Sequence, residues 1–264
     1  MRQSRDVVVL LSLLVSLAAR PVTAQIATTG PAALARQMPT VYGPYLANIS
    51  RVQILSTPGQ RPSADRTASP RSSGHVPAGR QPRPPASPAG TPAAPQDTTF
   101  RTVRPAFVPQ QLAARLGKTP QERQDITAIL TRCLNFYTDT ARQKGIPLND
   151  VARALTYFIA TNYFVYTEGS GPTPDEMSAT REMIHTNMTQ DATFRRMADR
   201  QKQEAYETLI VLAGFVDLGY GTAKQSGNES AAAAFREMAK QNLETLLGAP
   251  VEKMHFTSVG FALH

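Results

Sequence analysis

Tryptophan is missing from this chain, and cysteine occurs once, at Cys133, in 264 residues. A single thiol forms no internal disulfide, so a disulfide-stapled mini-protein and a Cys-based zinc module are both excluded. Charged residues are scarce at 18%, yet hydrophobic residues reach 41%, too many for a chain disordered throughout. Phosphate-loop and dinucleotide glycine patterns are absent. Gly169-Ser170-Gly171 lacks the strand-to-helix setting of a hydrolase elbow and reads as a turn after a helix.

Acidic residues are the rarer sign, 20 against 28 Lys and Arg, leaving a formal charge of +8. The surplus is not where a nucleic-acid-binding domain keeps it. Residues 106–264 hold 16 basic and 17 acidic side chains, so the basicity belongs to the first 105 residues. A nucleic-acid surface concentrates charge on a folded face, and nucleic acid is therefore not an expected partner. The basic leading part favours weak, salt-sensitive attraction to anionic envelope surfaces.

Residues 1–24 read as an address. Arg2 and Arg5 precede an apolar run from Val7 to Ala19, followed by Arg20, Pro21 and Val22-Thr23-Ala24. The run spans roughly 20 Å as a helix, short of the roughly 30 Å hydrocarbon core of a bilayer. The expectation is a secretory signal peptide cut after Ala24, with no stable membrane insertion afterwards. No cysteine follows the run, and the two arginines are not adjacent, which argues against lipoprotein and twin-arginine routes. The protein is expected to be exported, to the periplasm or beyond the cell. Cys133 sits in a helical pattern beside Ile129, Leu130 and Phe136 and is expected to be buried and inert.

Three further segments follow. Residues 25–54 have some apolar content, including Val41, Tyr42, Tyr45 and Ile49 to Leu55, and either dock as a strand or stay loose. Residues 55–105 are rich in Pro, Ser and Arg, with ten prolines between Pro58 and Pro95. Proline removes backbone donors and blocks helix, so this stretch is expected to be a disordered, partly polyproline-II linker. Residues 106–264 are expected to be an all-α domain, a bundle of about six or seven helices.

The helical reading rests on a 3.6-residue rhythm and on end signals. Thr119-Pro120-Gln121-Glu122 and Thr173-Pro174-Asp175-Glu176 each spell a capping box with proline at the first helical position. Asn149 or Asp150, Asp199, and Ser226 with Glu229 are further candidate starts. Helices are expected at about 108–116, 120–144, 149–167, 174–188, 192–198, 200–225 and 228–247. Those at 149–167 and 200–225 carry apolar residues on most faces, which marks them as central. Strand character is confined to the tail from Met254 to Leu263.

Several stretches in order carry a resemblance. They are Phe100-Arg-Thr-Val-Arg-Pro105, Gly145 to Leu155, Gln203-Glu204-Ala-Tyr-Glu207, Asn242 to Gly248, and Phe256-Thr-Ser-Val-Gly-Phe261. Over about Phe100 to Phe261 the chain resembles a family of exported bacterial proteins with no assigned function. The resemblance implies a helical exported domain behind a variable linker, and it brings no catalytic residues to transfer.

Candidates for chemistry are few. Glu182-Met-Ile-His185 has the spacing used in di-iron bundles, but those need a second such pair and two more Glu. His185 reads as a solvated helix residue, and His255 and His264 have no partner at ligand spacing. No metal site and no cofactor is expected. Glu207 is the one candidate catalytic residue. It lines up with Val211, Gly214 and Leu218 on an apolar face, where desolvation would raise its pKa. It serves either as a general acid, or as part of a structural polar network satisfied by Asn162 or Arg153. Glu204 and Asp217 read as surface groups. Phe136, Tyr137, Tyr157, Phe158, Tyr163, Phe164 and Tyr166 pack a core or line an apolar pocket. Three functions follow: a non-enzymatic binding module with a partner in the bacterial envelope or outside, a hydrolase of cell wall or a small molecule using Glu207, and an apolar-ligand carrier. The first is favoured.

Overall fold

The computed structural model describes residues 31–51 and 97–263. The leader at 1–24, most of the proline-rich stretch and His264 lie outside the described residues. The fold is all-α. Helices α1 (Pro31–Arg51), α2 (Val108–Leu116), α3 (Pro120–Gln143), α4 (Val151–Tyr166), α5 (Pro174–Gln190), α6 (Ala192–Arg195), α7 (Asp199–Gln225) and α8 (Glu229–Leu247) are followed by a 3-10 turn and two strands.

The helix starts follow from the caps. Thr119 accepts from the Glu122 amide while the Glu122 carboxylate accepts from the Thr119 amide, and Thr173 with Glu176 repeats the arrangement. Asp150 caps α4 through the amides of Ala152 and Arg153. Asn228, rather than Ser226, caps α8, accepting from the Ala231 amide. Gly248 ends α8 at φ 66°, a left-handed conformation that glycine adopts without strain.

The two helices expected to be central are central. Every residue of α7 from Ala205 to Val216 is buried, and so is every residue of α4 from Ala154 to Asn162. Each large apolar side chain so placed contributes about 1.5–3 kcal/mol. Glycines let neighbours come close to α7. A Cβ at Gly219 would meet the Phe235 ring at 2.0 Å, and one at Gly214 would lie 2.9 Å from the Cβ of Cys133. The tail forms an antiparallel hairpin, β1 (Met254–Thr257) with β2 (Gly260–Leu263), Met254 opposite Leu263. It covers α5 and sets Phe256 edge-on against Tyr163, ring centroids 4.9 Å apart.

The structure corrects two boundaries. Residues 31–51 are neither strand nor loose chain. They form α1, whose Leu34, Ala35, Met38, Tyr42 and Leu46 are buried on one face. Pro39 and Pro44 lie inside this helix, and each disfavours a helix interior by about 3 kcal/mol. Burial of Leu34, Met38 and Leu46 supplies a comparable gain. Helix α1 therefore owes its helicity to docking, chiefly on α8, with contacts to α2 and α7.

The second correction concerns residues 97–105, assigned by composition to the linker. They lie against the bundle as an extended strap. Thr98 and Phe100 are buried, the Phe100 amide donates to the Asn149 carbonyl, and the Val151 amide donates to the Thr98 carbonyl. The Phe100 ring packs edge-on against Tyr206 at 5.3 Å. Composition misses this because two buried side chains suffice to seat an otherwise polar stretch.

A buried polar chain ties α1 to the core. The Tyr42 hydroxyl donates to Asn242 Oδ1, Asn242 Nδ2 donates to Asn162 Oδ1 at 2.7 Å, and Asn162 Nδ2 donates to the Phe158 carbonyl at 2.7 Å. Burial pushes the Tyr42 phenol far above its usual range, so it stays a donor. Tyr42→Phe strands the Asn242 acceptor. The expected loss is about 1–2 kcal/mol, seen as a melting temperature lower by roughly 2–6 °C with unchanged helical circular dichroism.

Candidate functional site

The strongest sequence candidate, Glu207, sits in the middle of the core and is 3% exposed. Its surroundings are built from three directions. Helix α7 carries it inward, one turn after Gln203. The strap crosses α7 at Gln203, whose Oε1 accepts from the Val103 amide at 3.0 Å and whose Nε2 donates to the Arg104 carbonyl at 2.8 Å. Helix α2 then begins directly over the carboxylate. Glu207 Oε2 accepts from the amides of Phe107 and Val108 at 2.9 and 3.1 Å, and Oε1 accepts from Gln203 Nε2 at 2.7 Å.

This is an N-cap supplied from a distant helix. Phe107 occupies the cap position of α2 and brings no side-chain acceptor, so the first amides would lack a partner in a buried setting. The carboxylate satisfies them and faces the positive end of the helix dipole. The Arg104 guanidinium lies 3.5 Å over the Phe107 ring and covers the junction. Glu207 thus belongs to a buried polar network, whose members are not the expected Asn162 or Arg153. Asn162 is engaged with Asn242 and Phe158, and Arg153 pairs with Asp150.

A second buried carboxylate, Asp150, was read only as a possible cap. It is 3% exposed and gathers more partners than any cap needs. Oδ1 accepts from the Thr98 hydroxyl at 2.7 Å and from the Ala152 and Arg153 amides at 3.0 and 3.4 Å. Oδ2 faces Arg153 Nε at 3.3 Å and Arg181 Nη2 at 3.4 Å. Thr98 Oγ1 also lies 3.2 Å from His185 Nδ1. His185 is therefore not a freely solvated helix residue; it is half-buried against the strap. Threonine, histidine and aspartate meet here, yet Thr98 is fully buried, so its hydroxyl is closed to a substrate.

Asp217 also departs from the surface role expected of it. It is half-buried on α7, and burial pushes its carboxyl up to about 7. Cys133 is buried as expected, and burial pushes its thiol up to about 12, which leaves it without nucleophilic thiolate. The aromatic cluster divides. Tyr137 packs on Tyr157 at 4.9 Å and on Tyr206 at 6.2 Å inside the core, whereas Tyr163 packs outward on the hairpin. Tyr166 lines an open surface cleft of about 450 Å³ with Glu168, Arg236 and Lys240. That cleft is laced by the Glu168–Arg236 and Lys240–Glu252 ion pairs. Among the described residues, no group of three or more His, Cys, Asp and Glu is placed to hold a metal ion. No helix among them is long and apolar enough to cross a membrane.

Fold and site together define a helical bundle whose buried polar groups fasten distant segments to two central helices. Residues 3–264 match a family of unknown function, DUF6683, and the chain belongs to that family. The match begins far before the stretch that suggested a resemblance, so α1 and the proline-rich segment fall within the family's extent. No curated protein and no solved structure matches the chain.

Asp217 gives a pH prediction. Its folded pKa, about 7, lies above its ordinary value of 3.8, so the folded state prefers the protonated form. The resulting stability is complete at acidic pH and is lost as pH rises toward and through 7. Asp217→Asn should therefore melt higher than wild type at pH 8, by roughly 1–3 kcal/mol of stability, and match it near pH 4. A mutant advantage that does not grow between those two pH values would contradict a carboxyl whose protonated form is favoured by burial.

Proposed function

We propose that this protein is an exported, non-enzymatic interaction module of the bacterial cell envelope. The observation that carries this reading is the state of Glu207. Both of its oxygens are engaged, by two main-chain amides and one side-chain amide. A general acid must reach a substrate atom within hydrogen-bond distance, and this carboxyl could do so only by dismantling the start of α2. The division of the aromatic cluster between core and hairpin weighs in the same direction, against an apolar-ligand carrier. Export is supported by the charged start, short apolar run and Val-Thr-Ala ending of residues 1–24.

Two measurements test the reading. Expressed with its own leader in a Gram-negative host, the protein should appear in the osmotic-shock fraction with Gln25 as its first residue by intact mass. Retention in the cytosol with an uncut leader would defeat the export part. Incubated with purified cell wall, wild type and Glu207→Gln should release soluble fragments equally, at background. Release by wild type that vanishes in a Glu207→Gln protein of unchanged melting temperature would establish the hydrolase instead.

A further inference from the structure

We propose that the groove filled by α1 is a helix-binding site, and that a second copy of this chain can fill it with its own α1. The inference goes beyond the envelope reading and does not depend on where the protein resides.

The occupant's chemistry is on view in the docked helix. Leu34, Ala35, Met38, Tyr42 and Leu46 form the buried face of α1. The seat lies chiefly on α8, with α2 and α7 at its sides. Asn242 Oδ1 makes a specific polar contact there, taking the Tyr42 hydroxyl. The α1 of another copy carries the same side chains in the same order, so its fit follows from the fit already present.

Covalent connection does not confine α1 to its own bundle. Arg51 ends the helix, and the described chain resumes at Asp97. A chain of that length reaches on the order of 100 Å, far more than the width of a bundle. Nor is α1 a self-standing helix. Pro39 and Pro44 interrupt its hydrogen bonding, and Gly43 sits between them. Its folding is coupled to docking, so an undocked α1 is an unfolded segment with its apolar side chains in water. An empty groove would be unfavourable as well, since the apolar surface of α8 that α1 covers would face water. Both halves therefore seek a partner, and an identical copy supplies it by reciprocal exchange, closed by twofold symmetry.

Mass action sets the conditions. A flexible connection of the 45 residues that separate Arg51 from Asp97 would hold α1 near its own groove at an effective concentration on the order of 1 mM. The protein's own helix wins in dilute solution, and exchange grows as protein concentration approaches that value.

The full chain is refolded from denaturant at about 5 µM and about 500 µM, diluted, and sized by light scattering. The dimer fraction should be roughly tenfold or more higher after the concentrated refolding, and Met38→Asp should abolish it. A monomer under both conditions overturns the proposal, as does a dimer that persists in Met38→Asp. A fluorescent peptide of residues 31–51 then probes the groove directly. It should bind the Met38→Asp chain at least roughly tenfold more tightly than wild type, whose groove is already filled. Absence of binding to a Met38→Asp chain that keeps its helical spectrum overturns the groove assignment. Should Met38→Asp fail to fold, wild type nicked by trypsin at Arg66 or Arg71 replaces it. Incorporation of the labelled peptide supports exchange, and failure to incorporate it overturns exchange.

Discussion

The carboxylate of Glu207 holds the start of α2 onto the middle of α7, and the architecture around it depends on that grip. Helix α2 opens with Phe107, Val108 and Pro109, none of which offers a capping oxygen. Left alone, the amides of Phe107 and Val108 would be buried without partners. With Glu207 beneath them they are satisfied by charge-assisted hydrogen bonds, worth about 1.5–3 kcal/mol each. Gln203, one turn earlier, binds the strap that leads into the same helix. One helical turn of α7 thereby fixes the path of residues 103–108.

The same device occurs three times. Asp150 fastens the strap at Thr98 to the start of α4 and to α5 through Arg181. Asn242 and Asn162 fasten α1 to α8 and α4 through Tyr42. In each case a buried polar side chain near the core meets a distant segment, and at Thr98 and Tyr42 that segment is one the sequence alone would leave loose. Apolar burial supplies most of the stability, but it is non-directional. The polar ties supply registry, because a buried acceptor whose donor has slipped away is costly. This division of labour accounts for the engagement of both oxygens of Glu207 and of Asp150 by protein groups.

Much of the fold was legible in the sequence, for local reasons. Capping boxes at Thr119 and Thr173 and the glycine at 248 act within one turn, so their signals lie next to the ends they set. The centrality of α4 and α7 followed from apolar residues on every face. What stayed hidden was non-local. The spacing of Leu34, Met38, Tyr42 and Leu46 is helical, but Pro39 and Pro44 mask it, and only the surface of α8 makes the helix favourable. Thr98 and Phe100 sit in a polar stretch whose burial depends on Asn149, Asp150 and Tyr206. The exposure of Glu207 was judged correctly from its apolar face. Its partners were not, because the amides of Phe107 and Val108 stand about a hundred positions away and leave no mark in side-chain identity. Asp217 lies within the helix expected over 200–225, but its burial depends on neighbours from other elements, which the helical pattern alone does not reveal.

The central claim is that Glu207 works as the cap of α2. Hydrogen exchange at the Phe107 and Val108 amides reads that bond itself, in wild type and in Glu207→Gln. Gln has one acceptor oxygen where three donors converge, so the account predicts that both amides lose protection selectively, while amides in the centre of α4 stay slow. Unchanged protection at Phe107 and Val108 in the variant would contradict it.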